Sequence, residues 1–524
     1  MALARSLILV FWTFSFAAAV QLDMVAVRGR YPFGKQLETG ISGNESLTLE
    51  NQGDLLYFCN INLGGNSFQV LVDTGSWDLW VFGDVPGTKD LGISTNLTYG
   101  MGTVQGMRKI PFMSVADNQC LGSINTAQLE LDGFPVQDQA YLNVDQKYFG
   151  WDGMIGLGPS TTSHIRNSIF QSNQSSNGLP VLDRIFRENS TVPNHLTFLL
   201  SRDKSTEGVR TLDQFPAQLT IGTVIPGLEA VLDAPKLPVI RDEFGVQHWQ
   251  SLLDPNGIIG PDGQRISTTT SVPNPSAGST DQLHVMFDTG FTVPQLPGDV
   301  VDAIYGRIPG AEFIEDGTTL HPSITYVNFW RIPCSYEVNV SFVFASQEFP
   351  IAPLDLSRDT EQIDSNGQKI CIAFFQQTAD GIAGNKAFGA LDMFLGMAFL
   401  RNVYTLINFG NFVDGSADSV ADPYIQLLSL SDKSKIHNEF VNARLGGQDT
   451  TGSQAPLLDN IPAHPHTMGS RGNSSNQGSG TGSNENDGDG DDSSNGSPMH
   501  KPALFASEMF VFGFLTLSVW LDFS

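Results

Sequence analysis

The chain has 524 residues, enough for more than one compact unit with a large buried core. It carries 28 Lys and Arg against 55 Asp and Glu, a formal net charge of -27. This balance argues against binding to nucleic acid, whose phosphates attract Lys and Arg. It suits a protein that works in acidic surroundings, although simple solubility explains the charge equally well.

The N-terminus predicts a signal peptide over residues 1–19. Arg5 supplies the positive start, the stretch SLILVFWTFSFAAA is apolar, and Ala17–Ala19 provide the small side chains of a cleavage site. The apolar run is too short for a comfortable membrane span. We therefore expect secretion with Val20 near the mature start. Residues 20–45 then form a short N-terminal or pro segment that lacks a Lys-Arg processing site.

Residues 46–432 are dominated by strand-like patterns. Short apolar or alternating runs such as DLLYFCNINLG, AQLTIGTV and VSFVFASQEFPI are separated by Gly, Pro, Asn and Asp. Helical patterns are few, and the best is PGDVVDAIYGRI, which begins at Pro297. The sequence therefore predicts a mostly β protein.

An acidic residue follows an apolar strand at two places. FQVLVDTG ends with Asp73-Thr-Gly and LHVMFDTG ends with Asp288-Thr-Gly. Each motif is followed later by two apolar residues and a glycine, Met154-Ile-Gly after the first and Phe394-Leu-Gly after the second. One Asp-Thr-Gly is weak evidence, but two copies in matching surroundings indicate an internal repeat whose halves face each other around an approximate two-fold axis.

Two carboxylates held close together in a shielded cleft cannot both ionise easily, so one keeps a proton. The charged one can take a proton from a water molecule, and the protonated one can donate to a carbonyl oxygen under attack. Gly75 and Gly290 would allow close approach of backbone where a Cβ would obstruct it. The repeat therefore predicts a pair of catalytic aspartates, Asp73 and Asp288.

Four cysteines in a secreted chain suggest two disulfides, and three pairings are possible. We favour one local bridge in each half, Cys59–Cys120 and Cys334–Cys371. The Cys and His spacings match no zinc pattern, so no metal and no cofactor is expected. Glycosylation is expected at some of seven sequons. They are Asn44, Asn96, Asn173, Asn189, Asn339, Asn473 and Asn495.

The composition changes after residue 432. Residues 433–497 become rich in Gly, Ser, Asn and Asp, which predicts a disordered stalk. Residues 498–524 end in an apolar tail, and small residues and a polar spacer precede it. This arrangement is typical of a GPI-attachment signal, with Asn495 as the preferred site and Ser494 or Gly496 as alternatives. A single-pass anchor or a frayed tail is the other interpretation.

Residues 46–432 resemble the pepsin-type aspartic endopeptidases, in particular the fungal, GPI-anchored, yapsin-like kind. DTGSWDLWV from Asp73 is similar to the family's DTGSSNLWV, and FDTGFTVPQLP matches the second catalytic motif. YGMGTVQG from Tyr99 resembles the flap hairpin, IPC from Ile332 begins the disulfide of the second half, and LGMAFLRNVYTLINF from Leu395 resembles the closing segment.

The resemblance implies a bilobal β fold, with pseudo-symmetric lobes at 46–210 and 211–432 around a central cleft. It implies a monomer that cleaves extended peptide or protein substrates at the cell surface, without a cofactor. The implied flap and substrate-binding residues are Tyr99, Gly102, Thr103, Gly75 and Gly290. Those implied to support the dyad are Thr74, Ser76, Trp80, Thr289 and Thr292, with Trp80 as a hydrogen-bond partner of Tyr99.

The sequence departs from the family pattern near both acids. Phe291 stands where the family has a Ser or Thr that steadies the second acid, so we expect a raised pKa for Asp288. Trp77-Asp78 replaces Ser-Asn, and Met397 replaces an Asp at a structural position.

These departures motivate an alternative function, a pepsin-fold binding protein with weakened or lost activity. A structural wall glycoprotein is a third possibility, but it leaves the doubled motif unexplained.

Overall fold

The computed structural model describes residues 20–26, 56–100, 119–131, 133–145, 152–172, 178–202, 217–241, 245–275, 277–291, 293–315, 329–363, 367, 369–378, 383–386, 389–413, 421–462 and 511–512. For residues 20–26, 98–100, 119, 360–362 and 511–512 it describes the backbone alone. The predicted mostly β class is confirmed, since these residues form many strands in several sheets and few helices. Predicted features outside the described residues are the signal peptide, residues 463–497 of the stalk, the sequons at Asn44, Asn173 and Asn473, and the site residues Gly102, Thr103, Thr292 and Asn495.

Strands and helices are numbered in chain order. The strands are β1 Val20–Ala26, β2 Tyr57–Leu63, β3 Asn66–Asp73, β4 Leu79–Val81, β5 Lys89–Gly100, β6 Gln119–Leu131, β7 Phe134–Val144, β8 Gly153–Gly156, β9 His195–Leu199, β10 Ala217–Ile221, β11 Leu237–Pro238, β12 Gln250–Leu252, β13 Ile258–Ile259, β14 His284–Phe287, β15 Gln295–Leu296, β16 Glu312–Ile314, β17 Phe329–Pro333, β18 Val340–Phe344, β19 Gln347–Ile351, β20 Ser357–Ile363, β21 Lys369–Ala373, β22 Gln376–Gln377, β23 Met393–Leu395, β24 Val403–Asn408, β25 Tyr424–Ser429 and β26 Val511–Phe512. The helices are α1 His164–Gln171, α2 Val181–Glu188, α3 Gly298–Tyr305, α4 Pro353–Leu356, α5 Met397–Leu400 and α6 Lys433–Arg444.

The internal repeat is visible in the strand pairing. In the first half β3 runs parallel to β8, β8 is antiparallel to β4, and β4 runs parallel to β7. In the second half β14, β23, β15 and β22 follow the same sequence of parallel, antiparallel and parallel pairs. The two acidic motifs therefore stand at equivalent ends of two similarly built sheets.

A sheet shared by both halves joins these units. Strand β9 of the first half pairs on one side with β10 and on the other with β24 of the second half, where Tyr404 lies opposite Leu199. β1 enters the same sheet between β10 and β2, so residues 20–26 of the predicted N-terminal segment take part in the fold. Strands β11 and β25 also belong to the shared sheet, and β12 lies beside β14. The second half further contains a three-stranded sheet, β13-β18-β19, and a four-stranded sheet, β16-β17-β21-β20.

The start of the predicted stalk is wrong. Helix α6 occupies Lys433–Arg444, begins with Asp432 accepting hydrogen bonds from the backbone of Ser434 and Lys435, and buries Ile436, Phe440 and Val441. Most residues of this helix are polar, so its overall composition resembles that of a disordered segment although three apolar residues are buried. Residues 433–462, called here the C-terminal strap, pack on the second half.

The end of the chain contributes one short strand to the described residues. Strand β26 pairs in parallel with the end of β5, with Val511 opposite Tyr99. Within the described part of the chain, no helix has the length and apolar character needed to cross a membrane.

Candidate active site

Asp73 and Asp288 are brought together by the two repeated sheets. Asp73 is the last residue of β3 and pairs with Gly156, while Asp288 directly follows β14, whose Phe287 pairs with Leu395. Both aspartates are fully buried at 0% exposure. A stiff, hydrogen-bonded strand therefore carries each carboxylate to the boundary between the halves.

Reciprocal hydrogen bonds lock the two loops to each other. The backbone N–H of Thr74 donates to Oγ1 of Thr289 over 3.0 Å, and the N–H of Thr289 donates to Oγ1 of Thr74 over 2.9 Å. Each hydroxyl then donates to a carbonyl of the opposite strand, that of Phe287 at 3.0 Å and that of Val72 at 2.9 Å. This symmetric network fixes the separation of the two acids.

The glycines of the motifs are required by this close approach. A Cβ on Gly75 would overlap the carboxylate of Asp288, and a Cβ on Gly290 would overlap that of Asp73. The N–H of Gly75 donates to Oδ1 of Asp73 over 2.8 Å, and that of Gly290 donates to Oδ1 of Asp288 over 2.7 Å. Each glycine thus leaves space for the carboxylate of the opposite motif, and its N–H donates a hydrogen bond to the carboxylate of its own motif.

The two acids differ at the third residue after each aspartate. The hydroxyl of Ser76 donates to Oδ2 of Asp73. The equivalent Phe291 is 3% exposed and stacks on Phe394 with ring centroids 4.7 Å apart. Among the described residues, none donates a hydroxyl to Asp288.

This difference gives the two aspartates different pKa values. Burial raises the pKa of Asp73, and the hydrogen bond from Ser76 opposes that rise. The pKa of Asp288 is raised well above its ordinary value, first by burial and then by the charge of Asp73. A state with Asp73 ionised and Asp288 protonated is therefore favoured.

The Trp77-Asp78 pair has a structural explanation. The carboxylate of Asp78 accepts hydrogen bonds from the hydroxyl of Ser163 and from the backbone N–H of His164, at the start of helix α1. The indole of Trp77 donates to the carbonyl of Gln247 over 3.0 Å. Trp77 and Asp78 therefore connect the first acidic loop to Gln247 and to the start of helix α1.

The flap is described only in part. Strand β5 ends at Tyr99–Gly100, of which the structure describes the backbone, and Gly102 and Thr103 lie beyond it. Trp80 is fully buried in β4. The proposed contact between Trp80 and Tyr99 therefore involves a side chain outside the described set.

Met397 begins helix α5 and is fully buried. Its N–H donates to the carbonyl of Phe291 over 2.8 Å, so this segment braces the second acidic loop.

Cys334 and Cys371 form a disulfide that links β21 to the end of β17. The predicted Cys59–Cys120 bridge is wrong, since both residues are buried free cysteines. Strand β2 pairs antiparallel with β6 at Asn62–Glu130 and Leu63–Leu129, so Cys59 and Cys120 lie on opposite sides of this pairing along the two strands. A disulfide requires Cα atoms within about 7 Å.

Asp359 lies near the Cys334–Cys371 disulfide, but both sulfurs are bonded to each other and offer no thiolate to a metal.

One buried residue beside the site, His248, belongs to no sequence motif. His248 is fully buried and packs against Trp77, with ring centroids 4.9 Å apart and the ring planes tilted by 33°. The neighbouring Trp249 is also fully buried. Sequence offers no signal for His248, because its contacts come from residues far away along the chain.

The sequence matches the family model described as eukaryotic aspartyl protease over residues 56–224 and 264–418. It is 23% identical to the major aspartyl peptidase 1 of Cryptococcus neoformans over 410 residues, 71% of this chain and 71% of that protein. It is 21% identical to the aspartic-type endopeptidase ctsD of Aspergillus fumigatus over 427 residues, 77% of this chain and 73% of that protein. A probable aspartic-type endopeptidase, opsB of Aspergillus oryzae, is 23% identical over 396 residues, 69% of this chain and 68% of that protein.

Proposed function

The chain belongs to the eukaryotic aspartyl protease family, and we propose that Asp73 and Asp288 are the catalytic pair of this aspartic endopeptidase. The observation that carries the proposal is the mutual seating of the two buried carboxylates against Gly290 and Gly75. Two carboxylates this close share one proton, and the charged one can activate a water molecule that reacts with a substrate carbonyl.

The two acids take different roles in this mechanism. Asp73, steadied as an anion by Ser76, accepts a proton from water as the oxygen attacks the peptide carbonyl carbon. Asp288 donates its proton to the carbonyl oxygen, which gives a tetrahedral diol. The proton held by Asp73 then passes to the amide nitrogen, Asp288 recovers a proton from the diol, and the C–N bond breaks to release acid and amine.

The substrate in this proposal is an extended peptide that lies across the joined loops under the flap. An extended strand presents alternate side chains to opposite sides, which gives a cleft its specificity. Tyr99, Gly102 and Thr103 are the proposed flap contacts. Trp80, Thr74 and Thr289 support the site, and Thr292 stays a proposed hydroxyl source next to Asp288.

Cleavage of a broad peptide library by the full chain tests the proposal, beside Asp73→Asn and Asp288→Asn. We expect cleavage that both substitutions abolish and tight binding of a statine-type mimic of the tetrahedral intermediate by the unsubstituted protein. A folded protein that neither cleaves nor binds the mimic would instead support the alternative, a binding protein inactivated around Phe291.

We further propose a cell-surface location as a monomer, with a GPI lipid attached at Asn495. Support comes from the residue order alone, since small residues, a spacer and an apolar tail follow one another. The proposed processing would remove β26 with the tail. It would also place the protein in the yapsin-like group of the family.

A phospholipase specific for phosphatidylinositol should release the protein from expressing cells. Leu517→Asp, which interrupts the apolar tail, should abolish surface retention before any treatment. Retention that resists the enzyme but yields to detergent would show a membrane-spanning anchor instead.

A further inference from the structure

A cluster of charged and amide side chains, called here the ionic junction, connects the first half, the second half and the C-terminal strap. Its members are Arg202 at the end of the first half, Asp355 in helix α4, Arg401 and Asn402 after helix α5, and Glu439 in helix α6. The side chains of Asp355 and Arg401 are only 2% exposed. Electrostatic interactions are stronger in such shielded surroundings than at an exposed surface.

Asp355 is the centre of the ionic junction. Its Oδ1 accepts a hydrogen bond from Nε of Arg401 over 2.8 Å, and its Oδ2 accepts one from Nε of Arg202 over 3.0 Å. Oδ2 also accepts a hydrogen bond from the amide of Asn402 over 2.8 Å. Burial alone would raise the pKa of Asp355, but the charges of Arg202 and Arg401 outweigh it and lower this pKa. The carboxylate is therefore ionised and paired with both guanidinium groups.

Helix α6 and the residues that lead into it contact the ionic junction at two points. A carboxylate oxygen of Glu439 lies 3.6 Å from Nη1 of Arg202. The hydroxyl of Ser431, just before the helix, donates to Oδ1 of Asn402 over 2.7 Å. The same oxygen accepts a hydrogen bond from Nη2 of Arg202 over 2.9 Å. A displacement of the strap therefore removes interaction partners from Arg202 and Asn402, both of which bind Asp355.

Helix α5 connects the ionic junction to the second acidic loop. Arg401 directly follows this helix, and its N–H donates to the carbonyl of Met397 over 2.9 Å. The N–H of Met397 donates to the carbonyl of Phe291 over 2.8 Å, and the N–H of Phe291 donates to the carbonyl of Asp288 over 3.3 Å. A Cβ on Gly396 would overlap the Phe291 carbonyl, so helix and loop are in direct contact. One short helix therefore separates the ionic junction from the loop that carries Asp288.

We propose that the C-terminal strap regulates the geometry of the active site: through the ionic junction, docking of helix α6 holds helix α5 against the second acidic loop and so positions Asp288. The catalytic consequence rests on the function proposed above, whereas the coupling between strap and loop does not. Arg202 brings the first half into the same coupling, because it binds Asp355 and lies beside Glu439.

Arg202→Gln in the full chain tests the coupling. Glutamine lacks the charge and the forked donors of arginine, but Asp355 keeps Arg401 as a partner. We expect kcat for peptide cleavage to fall about fivefold and KM to change less than about twofold, because a misplaced Asp288 affects the transition state more than substrate binding. Arg202→Lys, which keeps the charge without the fork, should recover part of the loss.

Hydrogen exchange provides a second measurement that needs no enzymatic activity. We expect Arg202→Gln to accelerate exchange about fivefold in peptides that contain Met397 and Phe291, whose backbone groups join helix α5 to the loop. Exchange in β7, which pairs with β4 and β6 in the first half, should stay the same. Ser431→Ala removes one hydroxyl from the strap side and should give the same pattern at smaller amplitude. It replaces Arg202→Gln in both measurements if that variant does not fold.

Glu348→Gln is the matched control. Glu348 in β19 forms an ion pair of 2.7 Å with Lys433 at the start of helix α6, so this substitution also removes an ion pair of the strap. It leaves the ionic junction intact, and both side chains of the pair are largely exposed. It should therefore leave kcat unchanged, together with the exchange of the peptides that contain Met397 and Phe291.

Two results would overturn the inference. One is unchanged kcat and unchanged exchange at Met397 and Phe291 in folded Arg202→Gln and Ser431→Ala proteins. The other is an equal effect of Glu348→Gln. Either would show that the ionic junction stabilises the fold without positioning Asp288. An unsubstituted protein that cleaves no peptide would instead overturn the proposed function, and the exchange measurements would still decide whether strap and loop are coupled.

Discussion

At the scale of single residues, the site is symmetric in its backbone and asymmetric in its side chains. Thr74 and Thr289 exchange equivalent hydrogen bonds, whereas Ser76 and Phe291 give the two acids different neighbours. The raised pKa expected for Asp288 from the missing hydroxyl agrees in direction with its surroundings in the structure. Burial is the larger cause, and the charge of Asp73 adds to it.

Phe291→Thr should move the alkaline limb of the kcat/KM profile to lower pH. Threonine at this position places a hydroxyl where Ser76 stands in the other half, and a donor to the carboxylate lowers the pKa of Asp288 by about 0.5 to 1. The measurement is the pH dependence of peptide cleavage.

Phe291→Val separates the hydroxyl from the lost ring, because valine has nearly the shape of threonine. It removes the stack on Phe394 equally and should leave the alkaline limb unmoved. Equal curves for the two variants would show that the hydroxyl of this position does not set the pKa of Asp288.

At the scale of elements, the C-terminal strap extends the fold beyond the matched family model, which ends at residue 418. Helix α6 buries Phe440 completely, and Arg444 at its end donates to the carbonyl of Ser357 over 2.9 Å and contacts Cys371. Further along, Leu458 and Arg307 exchange hydrogen bonds of 2.8 and 2.7 Å. These contacts make the strap a structural part of the second half.

Phe440→Ala should lower the free energy of unfolding by about 3 kcal/mol, because it leaves a cavity between the helix and the lobe. Asn438→Ala on the exposed face of the same helix is the control, and its effect should stay within about 0.5 kcal/mol. Denaturant unfolding measures both. Similar small losses for the two variants would show that α6 does not pack as described.

His437 gives the strap a dependence on pH. Its ring lies 2.9 Å from a carboxylate oxygen of Glu337 and 3.3 Å from one of Asp449. The hydrogen bond with Glu337 is the main cause of its raised pKa. Because the folded pKa is raised, the stabilisation is fully present below the ordinary value of 6.5 and is lost as pH rises through the folded value.

His437→Ala should therefore destabilise the protein at pH 5 by about 0.5 kcal/mol, a small amount because the pair is partly exposed to solvent. The difference should be smaller at about pH 8 than at pH 5, because the histidine loses its proton as pH rises through its raised pKa. Thermal melting at both pH values measures it, and a loss that is equal at both would assign the effect to packing.

Sequence reasoning succeeded where function imposes a local pattern and failed where tertiary contacts decide. The strand-turn signature gave the position of both aspartates, and PGDVVDAIYGRI predicted helix α3. It missed α6, because three buried apolar residues in a polar helix resemble a linker in composition. It paired Cys59 with Cys120 by nearness in the chain, whereas the strand register separates them.

At the scale of the whole molecule, burying two adjacent carboxylates opposes folding. Since the pKa of Asp288 is raised in the fold, the folded state holds this proton more tightly than the unfolded chain, so stability falls as pH rises above the ordinary range of a carboxyl group. The protein should consequently be more stable in acid than its long list of carboxylates suggests.

Asp288→Asn should raise the free energy of unfolding by about 2 kcal/mol near pH 7, because the folded state must keep Asp288 protonated above the ordinary pKa of a carboxyl group and an amide needs no such proton, and by much less near pH 3. Asp302→Ala is the contrast. Trp330 and Gln377 both donate hydrogen bonds to Oδ1 of Asp302, so removal of this acceptor leaves two donors without their partner and should destabilise the fold. Lower stability of Asp288→Asn near pH 7 would contradict this reading of the pair.

The interlocked threonines have a consequence for ancestry and for recombination. Each lobe completes its acidic loop with atoms of the other, so a lobe grafted from a relative must bring a matching threonine and glycine to the junction. Chimeras cut between the lobes should tolerate large differences elsewhere and fail on small ones here. The two acidic loops must therefore be kept or exchanged together, whichever lobe is replaced.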